Sequence, residues 1–177
     1  MRAAGGDDIA LRSRAVPLTP DEDALAYLAI TRLQNAYADV ITRRAWPELA
    51  ALFSPDAPVH VNMVTADPIE IVGPQQLGEF IGTAVERFDF FELVILSAVV
   101  DVRSETEAVG RFYMQELRQD AGSGGWSDAY GVYHDRYEHD GERWRFAERS
   151  YQSLARTGRF EVFPFPERFR GHVTHEP

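Results

Sequence analysis

The chain has 177 residues and a net charge of −10, so it is long enough for one domain with a real core and, without a basic stripe, too acidic for nucleic-acid binding. It contains no cysteine, and all 18 of its basic residues are arginine. Disulfides, thiolate nucleophiles, Cys-ligated metals and Schiff bases on lysine are therefore excluded, which leaves Asp, Glu, His, Tyr, Ser and Arg for any catalysis.

The sequence also lacks the patterns of cofactor sites and of membrane segments. No GxGxxG, P-loop or HExxH motif occurs, so no cofactor and no metal are predicted. The longest apolar run, residues 93–100, is far too short to span a bilayer, and residues 1–14 have no apolar segment of a secretory signal. We therefore expect a cytoplasmic protein with no membrane partner.

The first helix is preceded by a leader without periodic pattern. Residues 1–18 are predicted to be flexible. Order begins at the capping box Thr19-Pro-Asp-Glu22, with proline at the first helical position. The helix that follows carries one apolar stripe, formed by Ile30, Leu33, Tyr37 and Ile41.

Shorter elements come next, followed by four long strands. Residues 46–53 predict a second helix, residues 59–63 and 69–72 a strand pair, and Gly73-Pro74 the start of a third helix. Long strands are predicted at 90–102, 108–118, 128–138 and 143–154. Helices followed by an antiparallel meander indicate an α+β domain.

Several of these motifs together resemble a known superfamily. They are the helix, Trp46-x-x-Leu-x-x-Leu-Phe53, a strand, a Gly-led helix, and a closing hairpin with Asp140-Gly-x-x-Trp-x-Phe-Ala147. The order is similar to the SnoaL-like branch of the nuclear transport factor 2 (NTF2-like) superfamily, which includes scytalone dehydratase. The resemblance implies a domain at 19–157 with a cone-shaped fold: a curved, mostly antiparallel sheet wrapped around three N-terminal helices. It further implies a pocket for a small apolar or aromatic molecule, and a homodimer.

Residues 158–177 form an aromatic, proline-rich stretch beyond this domain. We interpret it as an extended C-terminal arm, because its prolines disfavour a central strand. Its phenylalanines carry too much apolar surface to lie free in solvent. The arm is expected to pack over the mouth of the cone or on a neighbouring subunit.

The closing hairpin determines which charges point inward. Asp140-Gly141 predicts a two-residue turn, which pairs Tyr133 with Glu148. Since paired residues share a face with the apolar Trp144 and Phe146, the inner face is predicted to hold Tyr133, Asp135, Trp144, Phe146, Glu148 and Ser150. Arg136, Arg145 and Arg149 are then predicted on the outer face.

The candidate catalytic residues are Glu148, Tyr133 and Asp135. A carboxylate in an apolar cone has a raised pKa that suits general acid–base chemistry, and a phenol can stabilise a developing enolate. Glu148, the deeper carboxylate, is the candidate acid or base. A structural ion pair with an arginine stays open for both Asp135 and Glu148.

Further residues are predicted to bind the substrate: Tyr37, His60, Asn62, Phe112, Met114, Glu116, Arg118, Trp144 and Ser150. For His60 and Asn62 two indications conflict. Alternation with Val59 and Val61 puts both outward, whereas a resemblance to a pocket strand of limonene epoxide hydrolase puts both inward.

Neither mechanism known from these relatives transfers to this sequence. Scytalone dehydratase uses a pair of histidines for proton transfer, and the corresponding positions here hold Leu93 and Arg118. Limonene epoxide hydrolase has an Arg-x-Asp sequence where this chain has Arg111 and Tyr113. Two functions stay open. One is a cofactor-independent lyase, isomerase, cyclase or hydrolase acting on an apolar cyclic molecule, and the other is a non-catalytic ligand-binding or accessory structural subunit.

Overall fold

A computed structural model describes residues 18–171 of the chain. The helical part comprises α1 (Pro20–Arg43), a 3₁₀ helix (Trp46–Ala51) and α2 (Gly73–Val85), with two single-turn 3₁₀ helices near the C-terminus (Thr157–Arg159 and Glu167–Phe169). The three predicted helices are thus present, although the second has 3₁₀ geometry. Nearly all of the predicted leader lies outside the described residues.

Helix α1 begins where the sequence predicts. The Glu22 N–H donates to the Thr19 side chain at 3.3 Å, and the Thr19 N–H donates to the Glu22 carboxylate at 2.8 Å, which completes the capping box. The helix ends because Arg44 adopts a left-handed conformation with φ 59°. Its predicted apolar stripe is buried in the core.

Seven strands form one curved sheet: β1 (Pro58–Asn62), β2 (Ile69–Val72), β3 (Phe88–Val102), β4 (Glu107–Asp120), β5 (Trp126–His139), β6 (Trp144–Arg156) and β7 (Glu161–Val162). Their order is β2-β1-β6-β5-β4-β3, with β7 added on β6. All pairs are antiparallel except β1 with β6. This is the predicted α+β cone, with the helices against the concave face.

The hairpin between β5 and β6 differs from the prediction. Four residues separate the strands, and the Asp140 N–H donates to the Arg143 carbonyl, so that Tyr137 pairs with Phe146. The longer turn alone shifts the pairing by two residues, which would leave the same side chains on the inner face. A β-bulge at Ala147 then shifts the register by one residue. As a result, Arg136 pairs with Glu148 and Ala147 has no partner on β5.

The bulge exchanges the inner and outer faces of β6 from Glu148 to Ser153. A second register shift, at Leu154, restores the original alternation for Ala155 and Arg156. Asp135 pairs with Arg149, so Arg149 points inward and Glu148 points outward. At the bulge, the edge of β6 that does not pair with β5 is hydrogen-bonded to residues 52–54. The Ser54 N–H donates to the Phe146 carbonyl, and the Phe146 N–H donates to the Leu52 carbonyl. The predicted inward facing of Glu148 and Ser150 is therefore wrong, as is the outward facing of Arg149.

The C-terminal arm packs on the outer face of the chain's own sheet. Phe169 is buried and stacks on His134, with ring centroids 4.7 Å apart. Phe165 lies against Tyr113, while Phe160 is almost fully exposed. The described part of the arm therefore packs mainly on the chain's own sheet and not over the mouth, although its residues 158–159 border the cavity. Packing of the arm on a neighbouring subunit stays a prediction. Residues 172–177 lie outside the described range.

Within residues 18–171, no helix has the length and apolar character needed to cross a membrane.

Candidate functional site

The cone encloses a cavity of about 690 Å³ with one apolar wall. Helix α2 and strand β3 supply most of this wall through Leu77, Phe80, Ile81, Phe88, Phe91 and Leu93. Strand β1 adds Val59 and Val61. A cavity of this size and composition suits a small, mostly apolar molecule.

The opposite wall is polar and comes from the concave face of the three long strands β4, β5 and β6. It presents Glu116, Arg118, Tyr133, Arg149 and Tyr151 to the cavity. Alternation along β4 is uninterrupted from residue 107 to 119, which keeps Glu116 and Arg118 on the same face as the core residues Phe112 and Met114. A ligand would therefore lie between an apolar and a titratable surface.

Glu116 is the carboxylate in a position to exchange a proton with such a ligand. Burial raises its pKa above the ordinary value of 4.5, and the charges of Arg118 and Arg156 offset this only in part. Its contact with Arg118 is long, with 3.5 Å between Oε2 and Nη1. A carboxylate without a tight ion pair, in an apolar surrounding, is suited to act as a general base or acid.

Two tyrosines lie near this carboxylate. The rings of Tyr133 and Tyr151 have centroids 5.6 Å apart. Burial raises the pKa of both phenols, and for Tyr151 the Glu116 charge raises it further. Both hydroxyls therefore keep their protons at neutral pH and can donate hydrogen bonds into the cavity.

A buried ion pair joins Arg149 of the cavity wall to Asp135, which does not line the cavity. Arg149 Nε donates to Asp135 Oδ1 at 2.9 Å, and Arg149 Nη2 donates to Oδ2 at 2.8 Å. Gln34 Nε2 and the Tyr137 hydroxyl also donate to Oδ2, at 2.6 and 2.9 Å. The four hydrogen bonds hold both Asp135 oxygens in this network, and Asp135 does not line the cavity, so it is not placed to take a proton from a substrate.

Arg149 is surrounded by aromatic rings as well. Its guanidinium carbon lies 4.2 Å from the Tyr37 ring centroid, 4.0 Å from that of Tyr133 and 4.2 Å from that of Phe146. Burial by itself lowers the pKa of Arg149, and the charge and hydrogen bonds of Asp135 more than offset this, so the pKa is raised. Arg149 is thus a fixed cation that forms part of the cavity floor.

The structure brings four of the predicted site residues to the cavity wall: Tyr37, Glu116, Arg118 and Tyr133. Phe112, Met114 and Trp144 are buried in the core instead. Asp135 points inward as predicted, but both of its carboxylate oxygens accept hydrogen bonds from Arg149.

The remaining predicted residues lie on the outer face. His60 and Asn62 alternate with the two cavity valines of β1, as the alternation indicates and contrary to the resemblance to limonene epoxide hydrolase. Glu148 lies outside as well, 3.6 Å from the His60 Nε2 and 3.7 Å from the Arg136 Nε. The prediction that Glu148 and Ser150 face the pocket is therefore wrong, and so is the choice of His60 and Asn62 as substrate-binding residues, whose facing the sequence left open.

Sequence reasoning missed Gln34, Arg149 and Tyr151. Gln34 had a detectable signal, since it is a polar residue four positions after Ile30 on the apolar stripe of α1. The other two had none, because their inward facing depends on the bulge at Ala147. No group of His, Asp and Glu side chains suited to hold a metal ion occurs between residues 18 and 171.

Comparison with known proteins identifies relatives of this architecture. Residues 22–150 match the family model of the SnoaL-like domain. Similar solved structures include a candidate scytalone dehydratase from Novosphingobium aromaticivorans DSM 12444, with 22% identity, a TM-score of 0.69, and coverage of 78% of this chain and 91% of that one. Hexachlorocyclohexane dehydrochlorinase LinA-type3 from Novosphingobium barchaimii LL02 has 17% identity, a TM-score of 0.68, and coverage of 78% and 93%.

A third structure is that of a variant of Rv3472 from Mycobacterium tuberculosis, which is described as a protein of unknown function. It has 20% identity, a TM-score of 0.67, and coverage of 84% of this chain and 83% of that one. No curated protein matches the chain. At these identities the solved structures establish the fold alone.

Proposed function

The chain belongs to the SnoaL-like domain family, and on that basis we propose that it is a cofactor-independent enzyme that moves a proton on a mostly apolar, cyclic small molecule. The observation that carries this proposal is Glu116, a carboxylate with a raised pKa in the polar wall of a largely apolar cavity. Asp120, the other acidic residue of the described cavity wall, differs. Hydrogen bonds from Ser123 lower its pKa, so it stays ionised.

The proposed step is proton abstraction from carbon. Glu116 takes a proton from a C–H bond next to an electron-withdrawing group, and the electron pair of that bond moves toward the group. The hydroxyls of Tyr133 and Tyr151 donate hydrogen bonds to the negative charge that develops. Return of the proton at another carbon is an isomerisation, and loss of a leaving group from the neighbouring carbon is an elimination, which is lyase chemistry.

Proton abstraction can be tested before the natural substrate is known. We expect the protein to accelerate exchange of the α-protons of cyclic ketones such as 2-indanone and 2-tetralone in D₂O, followed by proton NMR. Because a base must be ionised to accept a proton, the rate should rise with pH through the titration of Glu116. An equal concentration of acetate is the control for a free carboxylate. If no ketone exchanges faster than in acetate, the proposed enzyme activity is contradicted.

One observation favours the second candidate, a non-catalytic ligand-binding protein. The positions of the histidine pair hold Leu93 and Arg118, and the histidines of the described chain (His60, His134 and His139) do not line the cavity. A ligand-binding protein would show raised thermal stability with the same ketones and no exchange. A homodimer and a cytoplasmic location stay predictions from the resemblance and from composition.

A further inference from the structure

The charge of the cavity wall is opposite to that of the whole chain. The protein has a net charge of −10, whereas the described cavity wall contains five arginines and two acidic residues: Arg87, Arg118, Arg149, Arg156, Arg159, Glu116 and Asp120. The lining residues thus have a formal excess of three positive charges, two of which are offset by Asp135 and Glu161, the ion-pair partners of Arg149 and Arg156. Such an excess in a concave, partly apolar surface attracts anions and repels cations.

These arginines differ in how well the protein itself neutralises them. Arg149 is paired with Asp135 through its Nε and Nη2, while its Nη1 is buried without a hydrogen-bond partner among the described residues. Arg156 donates to the Met63 carbonyl at 2.9 Å and lies 3.4 Å from the Glu161 carboxylate. Each of these two guanidinium groups thus already has a short hydrogen bond to an acceptor of the protein, at 2.8 Å for Arg149 and 2.9 Å for Arg156.

Arg118 has no such strong partner within residues 18–171. Its side chain is only 13% exposed, its contact with Glu116 is 3.5 Å long, and its Nε is buried without a hydrogen-bond partner among the described residues. The guanidinium of Arg118 and that of Arg87 lie near the same ring, 5.4 and 4.7 Å from the centroid of Phe88. A buried cation with an unused donor and a second cation beside it constitute an incomplete anion site.

We propose that the substrate is itself an anion: a mostly apolar cyclic acid whose carboxylate binds to Arg118, with Arg87 adding to the positive potential. This proposal rests on the proposed function, since it names the substrate class for the same cavity. A guanidinium presents its N–H groups in a plane that matches the two oxygens of a carboxylate. Bound there, the carboxylate would hold the adjacent carbon close to Glu116, the neighbour of Arg118 on the same face of β4.

The test compares two ligands of nearly the same shape. Naphthalene-2-carboxylate and its neutral amide, 2-naphthamide, are titrated into the protein by calorimetry at low and high salt. We expect the carboxylate to bind at least about 10-fold more tightly, and high salt to reduce this preference, because a charge-assisted contact is stronger than a neutral one and is screened by ions. Equal or tighter binding of the amide, or binding of neither compound, would overturn the proposal.

Three variants test whether Arg118 is the source of the preference for the carboxylate over the amide. Arg118→Gln should remove it and Arg118→Lys should keep part of it, whereas Arg136→Gln on the outer face should leave it unchanged. Unchanged preference in a folded Arg118→Gln protein would contradict the assignment. Failure of this proposal can be told from failure of the proposed function, because carboxylate preference is read from binding, and proton exchange from neutral ketones is read from NMR.

Discussion

Replacing Asp135 with alanine is expected to lower the free energy of unfolding by about 3–5 kcal/mol, the usual cost of leaving a buried charge without its partner. Asp135 and Arg149 are both about 1% exposed, and two hydrogen bonds join them. Without the carboxylate, Arg149 would stay in the core with the Gln34 side-chain oxygen as its remaining acceptor among the described residues. The loss should appear in urea unfolding as a lower midpoint with an unchanged slope.

Two further variants separate the buried charge from the mere loss of a carboxylate. Asp39→Ala removes an exposed ion pair with Arg43 of similar length, 2.8 Å, and should have a much smaller effect. Asp135→Ala combined with Arg149→Met should recover part of the lost stability, because the unpaired charge is removed as well. Equal losses in Asp39→Ala and Asp135→Ala would contradict the buried network.

Glu116→Gln is expected to lower the rate of α-proton exchange by at least about 100-fold, the contribution typical of a positioned general base. Glutamine keeps the shape and hydrogen-bonding capacity of the side chain and removes the titrating proton. Glu148→Gln is the matched control, since Glu148 is a glutamate on the outer face of the same sheet. It should retain the wild-type rate; a loss in Glu148→Gln with full activity in Glu116→Gln would refute the site.

Stability measurements show whether Glu116→Gln loses proton-exchange activity simply because the variant is less stably folded. Burial raises the pKa of Glu116 above 4.5, so the folded protein holds this proton more tightly than the unfolded chain. As the pH rises from 4.5 through the raised pKa of Glu116, the free energy of unfolding of the wild type therefore falls. Glu116→Gln should unfold no more easily than the wild type at pH 7, and any gain should vanish below pH 4.5.

Much of the fold could be predicted because its signals are local. The capping box at Thr19 marks the start of α1, and the alternation of β4 runs without a bulge along its pairing with β5, which placed Glu116, Phe112 and Met114 on the inner face. The Val59 face of β1 followed from alternation in the same way. Here the pattern of the residues was more informative than the resemblance to limonene epoxide hydrolase.

The site was only partly predictable because one bulge determines it. Ala147 adds a residue to β6 where its other edge bonds residues 52–54, far away in the sequence. No local pattern marks this position, and a shift of one residue exchanges the faces of a strand. Glu148 and Arg149 changed places for this reason, and the catalytic role proposed for a carboxylate moved from β6 to Glu116 on β4.

Glu116 can be the proton-transfer group of the cavity only if its carboxyl group titrates as a buried acid, which carbon-13 NMR of its carboxyl carbon measures. The resonance is assigned in glutamate-labelled protein by its disappearance in Glu116→Gln. We expect a midpoint above 4.5, since burial disfavours the charged form. A midpoint at or below 4.5 would show a solvated or tightly ion-paired carboxylate and would contradict this role of Glu116.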